Sequence, residues 1–194
     1  MLVMVDLANF AYGVQERQIL GAPDWFSSEK YDISAESDGE GEPSIEQWKS
    51  MIGKLMTDRF QLKLHTEKRE MAVYALTAVK TGPNLAKSKG DPSMGPGIGF
   101  GPGNFGVTNA TMAEIADAMG FGILERPVVD QTGLAGRFDL RLTWTPDEAH
   151  AETQNGELPG LFTAVQEELG LKLVSTKAPV DVLVIDNVER PSGN

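Results

Sequence analysis

The sequence predicts an α+β fold: repeated helix–strand–strand units, with helices packed on mainly antiparallel sheet. Ser44 with Gln47, and Thr111 with Glu114, have the spacing of N-terminal capping boxes, and each opens a run with apolar residues at helical intervals. Phe138, Leu140, Leu142 and Trp144 alternate with Asp139, Arg141 and Thr143, the period of a half-buried strand. A helix pattern followed by two strand patterns recurs about four times along the chain.

Residues 2–13 predict a short helix, with Leu2, Val5, Asn9 and Tyr12 on one stripe and Gly13 as its stop. Gln18-Ile19-Leu20, a turn at Gly21-Ala22-Pro23 and a strand at 31–34 follow, then an acidic loop at 35–43. The Ser44 helix carries Ile45, Trp48, Met51, Ile52, Leu55 and Met56. Leu62 and Leu64 alternate with Lys63 and His65 as a strand, the charged residues Glu67–Glu70 read as a turn, and 71–79 as a second strand. The Gly/Pro-rich stretch from Gly90 to Gly106 reads as linker, because it has little apolar surface to bury.

After the Thr111 helix come a short strand at Val128-Val129, the alternating strand 138–144 and a polar loop at 145–157. Leu161, Phe162, Val165 and Leu169 form a helix stripe, which Gly170 ends. Leu171–Val174 and the continuous apolar run Val182–Ile185 read as two strands. The expected organisation is a first lobe at 1–80, a linker or loop at 81–106 and a second lobe at 107–194. Segments 61–79 and 170–188 align at an offset of 109 residues, with Leu62/Leu171, Leu64/Leu173 and Val73/Val182 among the identities, which suggests an internal duplication.

Composition narrows the chemistry. A formal net charge of −11 argues against a sequence-independent grip on nucleic acid and favours cationic or neutral partners. Having no cysteine removes disulfides, thiol nucleophiles and cysteine zinc sites. No apolar run approaches the roughly 18 residues of a membrane span.

Several blocks together carry a family resemblance. They are Ala11-Tyr12-Gly13-Val14, the run Asp58 to His65, Arg69 to Tyr74, Arg126 to Leu134, Gly136 to Asp139, Glu168 to Leu173, Ala178-Pro179-Val180 and Val188 to Pro191. The chain resembles a soil-bacterial, largely acidobacterial family known only as a domain of unknown function. The resemblance implies an exported protein, with similar domains fused to membrane peptidases of the antibiotic-sensor type. It supplies no activity and no catalytic residue. More loosely, the helix–strand units resemble the short N-terminal modules of secretins and TonB-dependent receptors. The chain opens inside what resembles the family's first helix, without a signal peptide, so periplasmic and cytoplasmic placements both stay open. A missing leading strand would leave an N-terminal sheet edge able to self-associate into a homo-oligomer or capture a partner strand.

Two histidines bound the acid–base chemistry. His65 shares a strand face with Lys63 and Glu67 and reads as a surface residue; as a general base it would need Glu67 or Glu70 as orienter. His150, in the polar loop, is the second choice. Glu36, Asp38 and Glu40 with Gly41 imitate the start of a calcium loop, but Gln47 stands where a bidentate carboxylate is wanted, so a solvated acidic loop is preferred to a calcium site. Gly101-Pro102-Gly103-Asn104-Phe105-Gly106 matches G-x-G-x-x-G without the strand before and helix directly after that dinucleotide binding requires. Asp130, Asp139 and Arg137 read as braces of the Gly133–Gly136 turn. Trp25, Trp48 and Trp144 read as core or edge residues, any exposed one being a ligand platform. The expected function is a binding or interaction module of the bacterial envelope, with no cofactor. The alternative is a small hydrolase of esters or lactones, with or without the assistance of a carboxylate-bound metal.

Overall fold

The chain is α+β in a computed structural model that describes residues 1–33, 43–146 and 159–191. It forms two compact units: Met1–Glu70 with Pro179–Asn194, and Met71–Ala178. These boundaries fall inside two long strands, not at the expected 81–106 linker.

The first unit opens with β1 (Leu2–Val3) and α1 (Met4–Tyr12), followed by a 3₁₀ turn at Glu16–Gln18, β2 (Ile19–Leu20), α2 (Trp25–Ser28), β3 (Lys30–Tyr31) and α3 (Ile45–Phe60). β1 pairs antiparallel with β3, Leu2 opposite Tyr31, so the first helix starts at Met4 and not at Leu2. Its buried stripe is Met4, Val5, Leu7 and Ala8, not the expected set with Leu2, Asn9 and Tyr12. These residues pack with Phe26, Met56, Phe60 and Leu62 as one core. The α3 capping box forms as read: Gln47 N–H donates to Ser44 Oγ at 3.3 Å, and Ser44 N–H to Gln47 Oε1 at 2.8 Å. Only the C-terminal part of that helix is deeply buried; Ile45 is exposed.

The second unit holds β5 (Ala86–Lys87), β6 (Gly97–Gly101), β7 (Asn104–Ala110), α4 (Met112–Gly122), β8 (Val128–Asp130), β9 (Phe138–Thr143) and α5 (Leu161–Leu169). Its antiparallel sheet runs β5–β9–β7–β6. The core gathers Phe105 and Val107 from β7, Met112, Ile115 and Met119 from α4, Leu142 from β9, and Val165 and Leu169 from α5. The Gly/Pro-rich stretch is therefore no linker over its whole length. β6 and β7 form a hairpin, Gly101 opposite Asn104, around a Pro102-Gly103 turn in which Gly103 has φ +71°. Proline first and a left-handed glycine second suit such a turn.

Two strands serve both units: β4 (Lys63–Ala78) and β10 (Leu171–Asn187). In the first unit the sheet order is β2–β10–β4, with β2 parallel to β10; in the second it is β10–β4–β8, with β8 parallel to β4. Each expected hairpin, at 61–79 and at 170–188, is thus one uninterrupted strand. Glu67–Glu70 is not a turn: no glycine or proline breaks residues 62–79, and the charges sit on solvated strand surface. Pro179 does not end β10; among the described residues β2 pairs with that strand only at Leu183 and Val184, so Pro179 lies outside that pairing.

Left-handed residues end three helices: Gly13 after α1, Gln61 after α3 and Gly170 after α5. At Gly170 a side chain would also collide with backbone, since an added Cβ would lie 2.5 Å from the Gly82 carbonyl oxygen. At Gly133, with φ +69°, the same Cβ would meet nothing within 4 Å. Gly133→Ala carries the left-handed penalty alone, about 1–2 kcal/mol. Gly170→Ala is expected to cost more than about 2 kcal/mol, because clash adds to strain. Urea unfolding of both variants checks the order; equal midpoints would show that Gly170 is not sterically constrained.

Candidate functional site

Two places in the structure concentrate chemistry: a charged row on the first unit's sheet, and a cleft in the second unit.

The row lies on the stretch of β4 that was expected to turn. Odd-numbered residues share one face of a strand, so His65, Glu67 and Arg69 line up. His65 Nδ1 lies 2.9 Å from Asp186 Oδ2 on β10, and its Nε2 lies 3.2 Å from Glu67 Oε1. Arg69 Nε donates to the other Glu67 oxygen at 2.7 Å. Nearby, Lys68 Nζ donates to Asp181 at 2.9 Å. Glu67 thus reaches His65 along a straight strand, whereas Glu70 lies on the opposite face and does not join it. Asp186 was not among the expected partners; its pairing depends on cross-strand register, which strand period alone does not give.

The geometry is that of a cation clasp. A histidine acting as general base keeps one nitrogen for an orienting carboxylate and turns the other to a hydroxyl. Here both ring nitrogens face carboxylates. The hydrogen bond to Asp186, and then that to Glu67, raise the His65 pKa above the ordinary histidine value. His65 correspondingly lowers that of Glu67, with Arg69 adding to the effect. The side chains are about half exposed, at 47% for His65 and 50% for Asp186, so water screens the clasp.

The remaining expected site residues divide by position. His150, Glu36, Asp38 and Glu40 lie outside the described residues. Among the described residues, no group of three or more His, Asp or Glu side chains is placed to hold a metal ion. Around the Gly133–Gly136 turn, Asp130 Oδ1 accepts from the Thr132 N–H and hydroxyl, and Asp139 accepts from the Asn109 N–H. Arg137 donates to the Asn109 carbonyl and to Glu114. Asp130 thus braces the entry to the turn, whereas Asp139 and Arg137 hold the end of β7 and the start of α4. Trp25 is covered by the Arg190 guanidinium at 5.1 Å from its ring centre, Trp48 lies at the surface, and Trp144 is buried with an edge on the cleft.

The cleft encloses about 740 Å³. Its walls include Tyr74, Phe100, Leu124, Trp144, Leu161 and Phe162, with Glu125 at the lining. Tyr74 and Phe162 meet edge to face, centroids 5.4 Å apart, and the Arg126 guanidinium lies 5.5 Å from the Tyr74 ring centre. Phe100 and Phe162 remain 49% and 47% exposed. Close glycine packing shapes this wall. A Cβ on Gly122 would lie 2.9 Å from the Phe100 ring, and one on Gly103 would lie 2.6 Å from the Trp144 carbonyl oxygen. Sequence reading missed the cleft because its walls come from β4, the β6–β7 hairpin, the end of α4, the segment just after β9 and α5. The available signal was Phe100 flanked by glycines, an aromatic residue with no neighbouring side chain to hide it.

The clasp generates a pH prediction. A histidine with a raised folded-state pKa contributes stability below its unfolded value, about 6.5, and loses that contribution as pH rises through the folded value. The melting-temperature advantage of the wild type over His65→Gln should be full between about pH 5 and 6, where both carboxylates are ionised, and should shrink as pH climbs above about 6.5. An advantage constant from pH 5 to 9 would dissolve the clasp reading.

No curated protein and no solved structure matches the chain. A family model described as "Protein of unknown function (DUF3738)" matches residues 5–188, nearly the whole chain and both units, and the protein belongs to that family.

Proposed function

We propose that the protein is a binding module, and that the cleft of the second unit receives an apolar or aromatic group of its ligand. The observation that carries this reading is the pair of half-exposed phenylalanines, Phe100 and Phe162, standing with Tyr74 and Trp144 around about 740 Å³. Ligand pockets commonly enclose about 300–1,000 Å³, lined by apolar and aromatic side chains with a few polar groups. Leaving two such rings in water forgoes stabilisation that burial would give, roughly 25 cal/mol per Å² of apolar surface. A ligand that covers them recovers it.

A further observation favours binding over hydrolysis. The histidine expected as a general base has both nitrogens turned to carboxylates. The resemblance to exported proteins supports a place in the bacterial envelope.

p-Cresol is the probe, titrated into isotope-labelled protein and followed by NMR. Saturable shifts are expected at Tyr74, Phe100, Leu124 and Phe162. Phe162→Ser, at an exposed position, should leave the fold intact and weaken binding about tenfold, equivalent to about 1.4 kcal/mol. Shifts absent from these residues, or indifferent to Phe162→Ser, would refute the cleft as the binding site.

A further inference from the structure

Among the described residues, the second unit's antiparallel sheet ends at β6. In an antiparallel pair, alternate residues turn their N–H and C=O away from the partner strand. On an outer strand those groups template pairing with another chain. Natural edges are commonly blunted by lysine, proline, inward-pointing charge or a bulge. β6 reads Gly97-Ile98-Gly99-Phe100-Gly101, without a charge or a proline, and its register with β7 is unbroken from Gly97 opposite Thr108 to Gly101 opposite Asn104.

The two faces of β6 differ. Gly97, Gly99 and Gly101 share one face; a Cβ on Gly97 would lie 2.6 Å from Thr108 Oγ1 and one on Gly101 3.1 Å from Asn104 Nδ2, whereas one on Gly99 would meet nothing within 4 Å. Glycine within a strand commonly marks close approach by another backbone or a ligand. Ile98 and Phe100 share the other face, 42% and 49% exposed. Phe100 is both a residue of this edge and a wall of the cleft. Open backbone and aromatic cleft are therefore continuous.

We infer that β6 takes up an extended basic peptide as an added outer strand, one apolar side chain of which enters the cleft beside Phe100. The inference rests on the cleft being the binding site and names its occupant. Strand addition draws affinity from main-chain hydrogen bonds and specificity from pockets for alternate side chains, and here edge and pocket share Phe100. The five residues of β6 suit a peptide of ordinary strand length. The sequence of the second unit, Met71–Ala178, holds twelve acidic and eight basic residues, which favours a basic strand and opposes edge-to-edge pairing of two copies.

The test uses the full chain and the acetylated, amidated heptapeptide KTVFVTK. Two analogues are N-methylated at alternate residues, one along each edge of the peptide. The inference expects saturable binding, at least tenfold slower amide exchange within residues 97–101, and at least tenfold weaker binding by one analogue while the other stays close to the parent. Equal binding by parent and both analogues overturns strand addition; if p-cresol still shifts Phe100 and Phe162, the cleft reading survives it. No binding of the heptapeptide up to about 1 mM also overturns the inference, and silence from p-cresol as well brings down the cleft reading. If the chain is a dimer that Ile98→Lys makes monomeric and the heptapeptide does not compete, the occupant is a second copy and the peptide inference fails.

Discussion

A left-handed residue at the end of a helix is the constraint on which each unit depends. α3 ends at Gln61 with φ 50°, and α5 at Gly170 with φ 62°. Each turns the chain directly into a long strand and delivers a buried leucine as it does so: Leu62 to the first core, Leu171 to the second. A right-handed residue in either place would continue the helix and swing that leucine away from the core. The two positions tolerate the conformation differently. Gly170 faces backbone and admits no side chain, whereas Gln61 bears the strain with its amide donating to the Asp58 carbonyl at 3.1 Å.

The strands launched in this way carry residues of very different burial. Val73 and Leu76 on β4 are fully buried in the sheet, and so are Leu171 and Val182 on β10. Between such apolar stretches each strand is studded with charge. On β4 the exposed segment holds the His65, Glu67 and Arg69 row, whose hydrogen bonds replace water at groups that strand formation leaves accessible. Exposed ion pairs contribute little each. The main consequence of the row is to fix which charge faces which, and that spends both histidine nitrogens on carboxylates.

In the second unit, glycine has the opposite role to the one its abundance implies. Gly103 provides a left-handed turn against the Trp144 carbonyl, and Gly122 makes room for the Phe100 ring. Glycine here brings backbone and aromatic ring into contact, and the exposed wall of the cleft follows from that contact. The composition of residues 90–106 points to a linker only while glycine is counted and the alternation of Phe105 and Val107, both buried, is passed over. Pro102-Gly103 before that alternation is a hairpin signal of the ordinary kind.

Local chemistry made much of this protein legible from its sequence alone. The capping boxes at Ser44 and Thr111, the Gly13 and Gly170 stops, and the strand at 138–143 depend on residues within a few positions of one another, so spacing was enough to place them. The α+β class followed from those elements. Tertiary structure alone decided whether Glu67–Glu70 and Ser175–Pro179 would turn or stay extended. Polar, charged stretches are compatible with either, and pairing with a neighbouring strand settles the matter. It alone also set Asp186 against His65, 121 residues away, and gathered the cleft from five separated segments. Contacts of that kind are fixed by register and packing, and neither is encoded in the neighbourhood of any one residue.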